Sequence, residues 1–278
     1  MTTTSKVEHL APSELGTKEY WDEAYTRELA NHSTSSGSAD PDEGTIWFSD
    51  ADAEEKIIDF LDDLAEDGVL IKSNSDPSAT VIDATAPPNP STILDLGTGN
   101  GHMLFALRDA GWTGRMVGVD YSAASVELAK QIAASRSSIS PETGHIAFHE
   151  WNILTSAAGS WLPADSSGLN GDGDGGAGFD VLLDKGTFDA ISLSPALDSA
   201  GRRVCESYSE KVAPLVKKGG LFVLTSCNWT EEELRRWFEG AGEEGRLEFV
   251  FRDRVRYPSF SFGGKSGQKV VSVCFERR

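Results

Sequence analysis

Long apolar runs are missing from this chain of 278 residues. No stretch approaches the roughly 20 apolar residues that cross a bilayer, so no membrane association is expected. The opening MTTTSKVEHLAPSEL has no apolar core of the signal-peptide kind. Cysteine is scarce: Cys205, Cys227 and Cys274 form an odd set with no CxxC pair. That excludes a disulfide framework and a cysteine zinc site. It leaves free thiols, and the apolar runs around Cys227 and Cys274 predict burial. The 5 histidines are scattered, with none at a recognised ligand spacing, so no metal is expected. With these absences a reducing, cytoplasmic compartment is the expectation, with the nucleus also compatible.

Basic charge is short as well. The chain has 25 Lys and Arg against 44 Asp and Glu, a net charge of −19. Sequence-independent binding to a nucleic-acid backbone needs a basic surface, so no direct nucleic-acid binding is expected. The imbalance has an address. Residues 1–90 carry 20 acidic and 5 basic side chains, and residues 91–278 carry 24 and 20. An acidic collar of this kind attracts a lysine-rich protein, or it only solvates a helix face and tails; composition fits both.

What is present is an alternation of short apolar runs with helical stretches. Thr92–Leu96, Arg115–Val119, Ile146–His149, Phe179–Asp184, Leu221–Thr225, Leu247–Arg252 and Val270–Phe275 read as seven strands. Helical stretches at 101–110, 122–133, 199–213 and 230–239 separate most of them. Ser122 and Thr230 are the expected N-caps, and Thr230 with Glu233 matches a capping box. The pattern predicts an α/β fold, a doubly wound, mostly parallel seven-stranded sheet whose last two strands pair antiparallel. Ahead of it, 50–67 is amphipathic, with Ile57, Ile58, Phe60, Leu61 and Leu64 on one face. Small, polar or Gly/Asp/Ser-rich stretches at 32–44, 73–90, 134–145 and 156–178 read as loops or insertions.

The chemical motif is Ile93-Leu-Asp-Leu-Gly-Thr-Gly-Asn-Gly101. A strand runs into a glycine turn and then a helix, the arrangement of a nucleotide-cofactor loop at the carboxyl end of a central strand. Gly97 and Gly99 let the backbone approach a ligand without Cβ clash. The spacing is GxGxG rather than GxGxxG, and His102 stands where a dinucleotide site has its third glycine. Asp95 would repel a pyrophosphate but can accept from an ammonium or hydroxyl. That favours S-adenosylmethionine, which has an amino-acid tail and no phosphate. Asp120 ends the next strand about 20 residues on, the interval at which an acid meets ribose hydroxyls, and Tyr121 follows at the same tip. Trp151 or Ile153 can cover an adenine face. Asn152 between them either accepts from the adenine amine or is a strand-end turn residue. Asp184, Lys185 and Asp189 cluster after the fourth strand, as chemistry or as a local ion pair.

At this point the sequence resembles the seven-β-strand, class I S-adenosylmethionine-dependent methyltransferases. More narrowly it resembles the elongation factor 1-alpha lysine methyltransferase 2 family, through Ser13-Glu-Leu-Gly-Thr-Lys-Glu-Tyr-Trp-Asp22, Ile46-Trp-Phe48, Ile93–Gly101 and Leu183-Asp-Lys-Gly-Thr-Phe-Asp-Ala-Ile-Ser192. The resemblance implies lysine N-methylation of a protein substrate, elongation factor 1-alpha. It implies cofactor contacts at Trp21, Trp47, Gly97, Gly99, Asp120 and 151–153, with Asp184 at the catalytic face. The family usually has Asp where this chain has Asn152, which predicts weaker cofactor affinity rather than its loss. Residues 1–90 then form an acidic, partly disordered helical cap and linker, and 91–278 the methyltransferase domain. An aromatic face attracts a sulfonium cation by roughly 0.5–2 kcal/mol, so Trp21 and Trp47 can lid the methionine end; packing of an N-terminal helix explains them equally. Tyr257, Phe260 and Phe262 are the candidate lysine channel, or a plain aromatic hairpin contact. The competing readings are a small-molecule methyltransferase and an inactive binding protein of the same fold.

Overall fold

The computed structural model describes residues 8–38, 41–74, 89–136, 146–157, 159–163, 178–239, 248–258, 260–262 and 265–278. Most of the predicted insertion at 156–178, the linker from 75 to 88 and the break from 137 to 145 lie outside the described residues.

Seven strands make one sheet: β1 (Ile93–Leu96), β2 (Met116–Asp120), β3 (Ile146–Glu150), β4 (Phe179–Lys185), β5 (Val216–Ser226), β6 (Phe249–Val255) and β9 (Val271–Arg277). Between the last two, β7 (Phe260–Phe262) and β8 (Lys265–Gly267) pair as a separate ribbon. The order is β3-β2-β1-β4-β5-β9-β6. β1 to β5 run parallel, and β9 lies antiparallel between β5 and β6. This is the architecture that the alternation predicts.

Both faces of the sheet are covered, which is why its central strands read as unbroken apolar runs rather than alternating ones. Ile93, Val181, Leu183 and Val223 pack with α2 (Ala53–Glu66), α3 (His102–Asp109) and α4 (Ala123–Ser135). Leu94, Leu96, Leu182, Phe222 and Leu224 pack on the other face with α6 (Tyr208–Val212) and α7 (Glu231–Phe238). In α2, Ile57, Phe60, Leu61 and Leu64 are buried as the periodicity predicts. At about 1.5–3 kcal/mol each, those four contribute roughly 6–12 kcal/mol of gross burial energy. Ile58 sits at the edge of that face.

The N-terminal region joins the same core. α1 (Lys18–Ser35) lies along α4, and Tyr25 belongs to the buried cluster of the sheet. Only Tyr25 and His32 of α1 are buried, too few apolar contacts to leave a helical period in the sequence.

Three local expectations change. No single helix spans 199–213. Asp198 Oδ1 accepts from Ala200 N and Arg202 N, both at 2.9 Å, and Gly201 turns left-handed at φ 75°. That Asx turn diverts the N–H groups a helix would need, and regular helix begins only at Tyr208. Ser122 precedes α4 but makes no capping bond, its hydroxyl being buried without a partner. Cys227, expected to be buried, is exposed. The Thr230–Glu233 capping box forms as read, with Thr230 N donating to Glu233 at 2.9 Å and Glu233 N to Thr230 at 3.3 Å.

Candidate active site

The sheet order reverses between β1 and β4, the switch point at which open α/β sheets bind ligands. Register sets Leu96 level with Val119 and with Asp184, and Asp184 level with Leu224. Four strands therefore end together, and the turns that follow them surround a cavity of about 490 Å³.

The glycine loop forms one wall. Gly97 and Gly99 have φ of 70° and 57°, the left-handed region that favours glycine. A Cβ on Gly97 would stand 1.9 Å from Thr187 Oγ1, and one on Gly99 2.7 Å from the Tyr25 hydroxyl. The loop is tied down from every side. Gly97 N and Thr98 N donate to Val119 O, Gly99 N donates to Asp120 Oδ2 at 3.1 Å, and Thr187 Oγ1 donates to Leu96 O. Asp120 also accepts from Ser122 N at 2.9 Å. Burial raises the Asp120 carboxyl, and these two backbone donors partly offset it.

Opposite stands an aromatic wall: Trp21 and Tyr25 from α1, Trp47 and Phe48 from the turn before α2. The Trp21 and Trp47 rings meet edge-on at 5.3 Å, and Trp21 Nε1 donates to Leu15 O at 2.8 Å. Trp47 is 37% exposed, so it sits at the rim. Phe48 takes the left-handed region at φ 64°, a conformation that costs a bulky residue energy. A charged relay holds this turn. Lys185 Nζ donates to Trp47 O at 3.3 Å and pairs with Glu54 at 3.3 Å, and Glu54 bonds His102 Nδ1 at 2.5 Å. Burial alone would raise Glu54, but the His102 bond and the Lys185 charge outweigh it and hold the carboxyl below its usual value.

At the β3 end, Trp151, Asn152 and Ile153 line the cavity. Asn152 is a turn residue as well: its Oδ1 accepts from Leu154 N at 2.9 Å, and its carbonyl accepts from Ser156 N at 2.8 Å. The two readings of Asn152 are thus compatible.

Four acids at or just beyond these strand ends divide by facing. Asp95 and Asp184 do not line the cavity, whereas Asp120 and Asp189 do. Asp95 lies behind the glycine loop, where its Oδ2 accepts from Thr98 Oγ1 at 2.7 Å and burial pushes its carboxyl up to about 6. Asp184 is 1% exposed. It accepts from Thr187 N at 2.8 Å, Phe188 N at 3.1 Å and the Tyr208 hydroxyl at 2.6 Å. Burial pushes it up to about 7 against those bonds. A place at the catalytic face does not fit this position. Asp184 points into the Tyr208 side of the sheet and holds the start of α5 (Thr187–Ser192), while Lys185, one residue on, faces the cavity as strand alternation requires.

A family model described as a methyltransferase domain matches residues 89–248. The chain is 36% identical over 269 residues to protein-lysine N-methyltransferase EFM4 of Saccharomyces cerevisiae, covering 97% of each chain. It is 30% identical over 266 residues to EEF1A lysine methyltransferase 2 of Homo sapiens, covering 96% of this chain and 88% of that one. The chain belongs to this family of protein-lysine N-methyltransferases. Magnesium protoporphyrin IX methyltransferase of Synechocystis, solved with bound SAM, shares the fold at a TM-score of 0.51 and 12% identity, covering 97% of this chain and 100% of that one.

The cofactor of this methyltransferase is S-adenosylmethionine, and the cavity's chemistry fits it. The aromatic wall suits a sulfonium and the Asp120 carboxylate suits ribose hydroxyls. The cavity lysines Lys18 and Lys185 are already paired with Asp22 and Glu54, which leaves a pyrophosphate no free ammonium there. The structure brings Trp21, Trp47, Gly97, Gly99, Asp120, Tyr121, Trp151, Asn152, Ile153 and Lys185 to one cavity. It sets Asp95, Asp184 and Tyr257 outside it. The Tyr257 hydroxyl bonds Ser272 at 2.7 Å inside the core, so that residue forms no channel wall. The side chains of Phe260 and Phe262 lie outside the described residues. Sequence reasoning missed Tyr25, Thr187 and the Leu193–Ala196 rim. Thr187 lies inside the Leu183–Ser192 segment, but its bond to Leu96 O, like the approach of Tyr25 to Gly99, joins residues distant in sequence that no spacing reveals.

Proposed function

We propose that this methyltransferase methylates a lysine of elongation factor 1-alpha and works in the cytoplasm. The near-full-length likeness to enzymes named for that lysine methylation supports the substrate. The observation that carries the chemistry is a cavity lined by the aromatic rings of Trp21, Tyr25, Trp47 and Phe48 together with the acids Glu19, Asp120 and Asp189.

S-adenosylmethionine, when bound, supplies a methyl group activated on a sulfonium. In this reading Asp120 accepts from the ribose hydroxyls, and the Gly97–Gly99 backbone comes close enough to orient the methionine tail. Trp151 and Ile153 cover adenine, and the Asn152 carboxamide faces its edge. Trp21 and Trp47 close over the sulfonium end, with Lys185 holding the Trp47 carbonyl in place. The chain's main work is alignment, which supplies several kcal/mol. The lysine must be neutral to attack, yet its free pKa is about 10.4. A cavity walled by aromatic rings disfavours the ammonium by desolvation.

The test is to incubate the enzyme with radiolabelled S-adenosylmethionine and purified elongation factor 1-alpha, then digest and identify the labelled residue. Methyl-lysine in the factor supports the reading. Label that enters only small molecules or RNA from a cell extract overturns it.

A further inference from the structure

Asp189 is a buried acid that the reading above leaves without a task. It lies in the first turn of α5, is 5% exposed and lines the cavity. The end of β5 supplies its partners. Ser226 Oγ donates to Oδ1 at 2.5 Å, Cys227 N donates to Oδ2 at 2.8 Å, and the Cys227 thiol approaches Oδ2 at 3.4 Å. Every partner is neutral. Among the described residues no Lys, Arg or His forms an ion pair with Asp189, whereas Lys18 and Lys185 on the same cavity are each matched to an acid. A buried carboxylate without a counter-charge is costly. One that borders a substrate cavity is matched once a cation enters.

Topology says which cation. The cavity runs over strand ends in the order β3, β2, β1, β4 and β5. Asp120 ends β2, and Asp189 sits against the end of β5, three strands away. At about 4.8 Å per strand that is roughly 14 Å. With ribose at Asp120 and adenine at β3, Asp189 stands at the far end, where an acceptor must enter. The lining residues after α5 and β5, Leu193, Pro195, Ala196 and Asn228, are uncharged, and Lys185, the cavity ammonium on the neighbouring β4, is already paired with Glu54.

We infer that Asp189 is the catalytic residue that receives the substrate lysine: it binds the ammonium and takes its proton. An N–H bond of the ammonium breaks, an O–H bond forms on the carboxylate, and the electron pair stays on nitrogen. The proton then passes to solvent. The inference rests on the lysine reading proposed above. Burial raises the Asp189 carboxyl above its ordinary value, which narrows its gap to a desolvated ammonium. The titratable groups bearing on it are Cys227 after β5 and Asp184 on β4, with Asp50 acting on the same thiol, and β4 also carries Lys185, which faces the same cavity paired with Glu54. On the other elements against α5, Arg203 is turned to Ser192 O, Glu206 to Arg203 N, and Glu14 is exposed.

Asp189→Asn tests this, since it keeps the shape and one acceptor oxygen. Affinity for S-adenosylhomocysteine by calorimetry should stay within threefold of wild type. Binding of elongation factor 1-alpha to that complex should weaken about tenfold. At pH 7.5 kcat/KM should fall at least 100-fold, and the deficit should shrink about tenfold per pH unit toward pH 10, as solvent takes over deprotonation. A loss that is equal at every pH, or kcat/KM within threefold of wild type, overturns the inference. Ser226→Ala is the second variant, to be used if the first unfolds. It keeps the carboxylate but removes its shortest donor, so the acid limb of the kcat/KM profile should move to higher pH; an unmoved limb also overturns the inference. If the wild-type enzyme leaves elongation factor 1-alpha unlabelled, the substrate reading fails instead.

Discussion

Removing the Asp184 carboxylate separates structure from chemistry at the end of β4. Its oxygens satisfy three donors: the buried Phe188 N and Tyr208 hydroxyl and the half-buried Thr187 N. A stranded buried donor costs about 1–3 kcal/mol, so Asp184→Ala strands about 3–9 kcal/mol. Relief of a buried carboxylate offsets part of that, and a net loss of about 4 kcal/mol is expected. With a urea slope of about 2–3 kcal/mol/M, the unfolding midpoint should drop by about 1.3–2 M. Asp184→Asn keeps one acceptor and should lose only about 1–2 kcal/mol, with turnover per folded molecule within threefold of wild type. The pH dependence gives an independent arm. Burial holds the folded carboxyl up at about 7, against about 3.9 in an unfolded chain. Folding therefore takes up a proton between those values, and this group's contribution to stability is lost as pH rises from about 4 to 7. The Asn variant should lack that slope in urea titrations. An Ala variant with an unchanged midpoint and no turnover would refute the reasoning and return Asp184 to the chemistry.

Gly97→Ala adds a left-handed penalty of about 1–2 kcal/mol and a Cβ at 1.9 Å from Thr187 Oγ1; calorimetry should show cofactor affinity down at least 100-fold, and unchanged affinity would mean the loop yields. Asp120→Ala strands Gly99 N and Ser122 N together and should abolish measurable cofactor binding; retained binding removes the ribose assignment. Cys227 is exposed as a residue, but its thiol is turned against Asp189, where local desolvation and then the Asp189 charge push it up to about 12. Its alkylation by iodoacetamide at pH 7.5 should be about three orders of magnitude slower than that of free cysteine, whose pKa is about 8.5. Reaction at the free-cysteine rate would contradict the contact with Asp189.

Much of the molecule was legible before its coordinates. The glycine loop and Asp120 belong to consecutive strand–turn–helix units and meet through Gly99 N, and the Thr230 box closes within three residues, so spacing alone places them. Facing at strand ends was not legible. Asp184 and Lys185 are neighbours, and only the packing of Tyr208 on one side and Glu54 on the other decides which of them meets the cavity. Tyr25 was hidden for a related reason. It sits on a mostly polar helix and gains its role from Gly99, 74 residues later in the chain. Cys227 misled because its apolar neighbours belong to β5, whereas the cysteine stands one residue beyond the strand.

The placement of β9 has a consequence for synthesis. It follows β6 in the chain yet inserts between β6 and β5. While a ribosome still holds residues 271–277, both neighbouring strands present bare backbone edges, the features that recruit other chains. The sheet cannot close progressively from the amino end. The gap between β5 and β6 is filled only by residues 271–277, so until they are in place the β5 edge stays open to pairing with another chain.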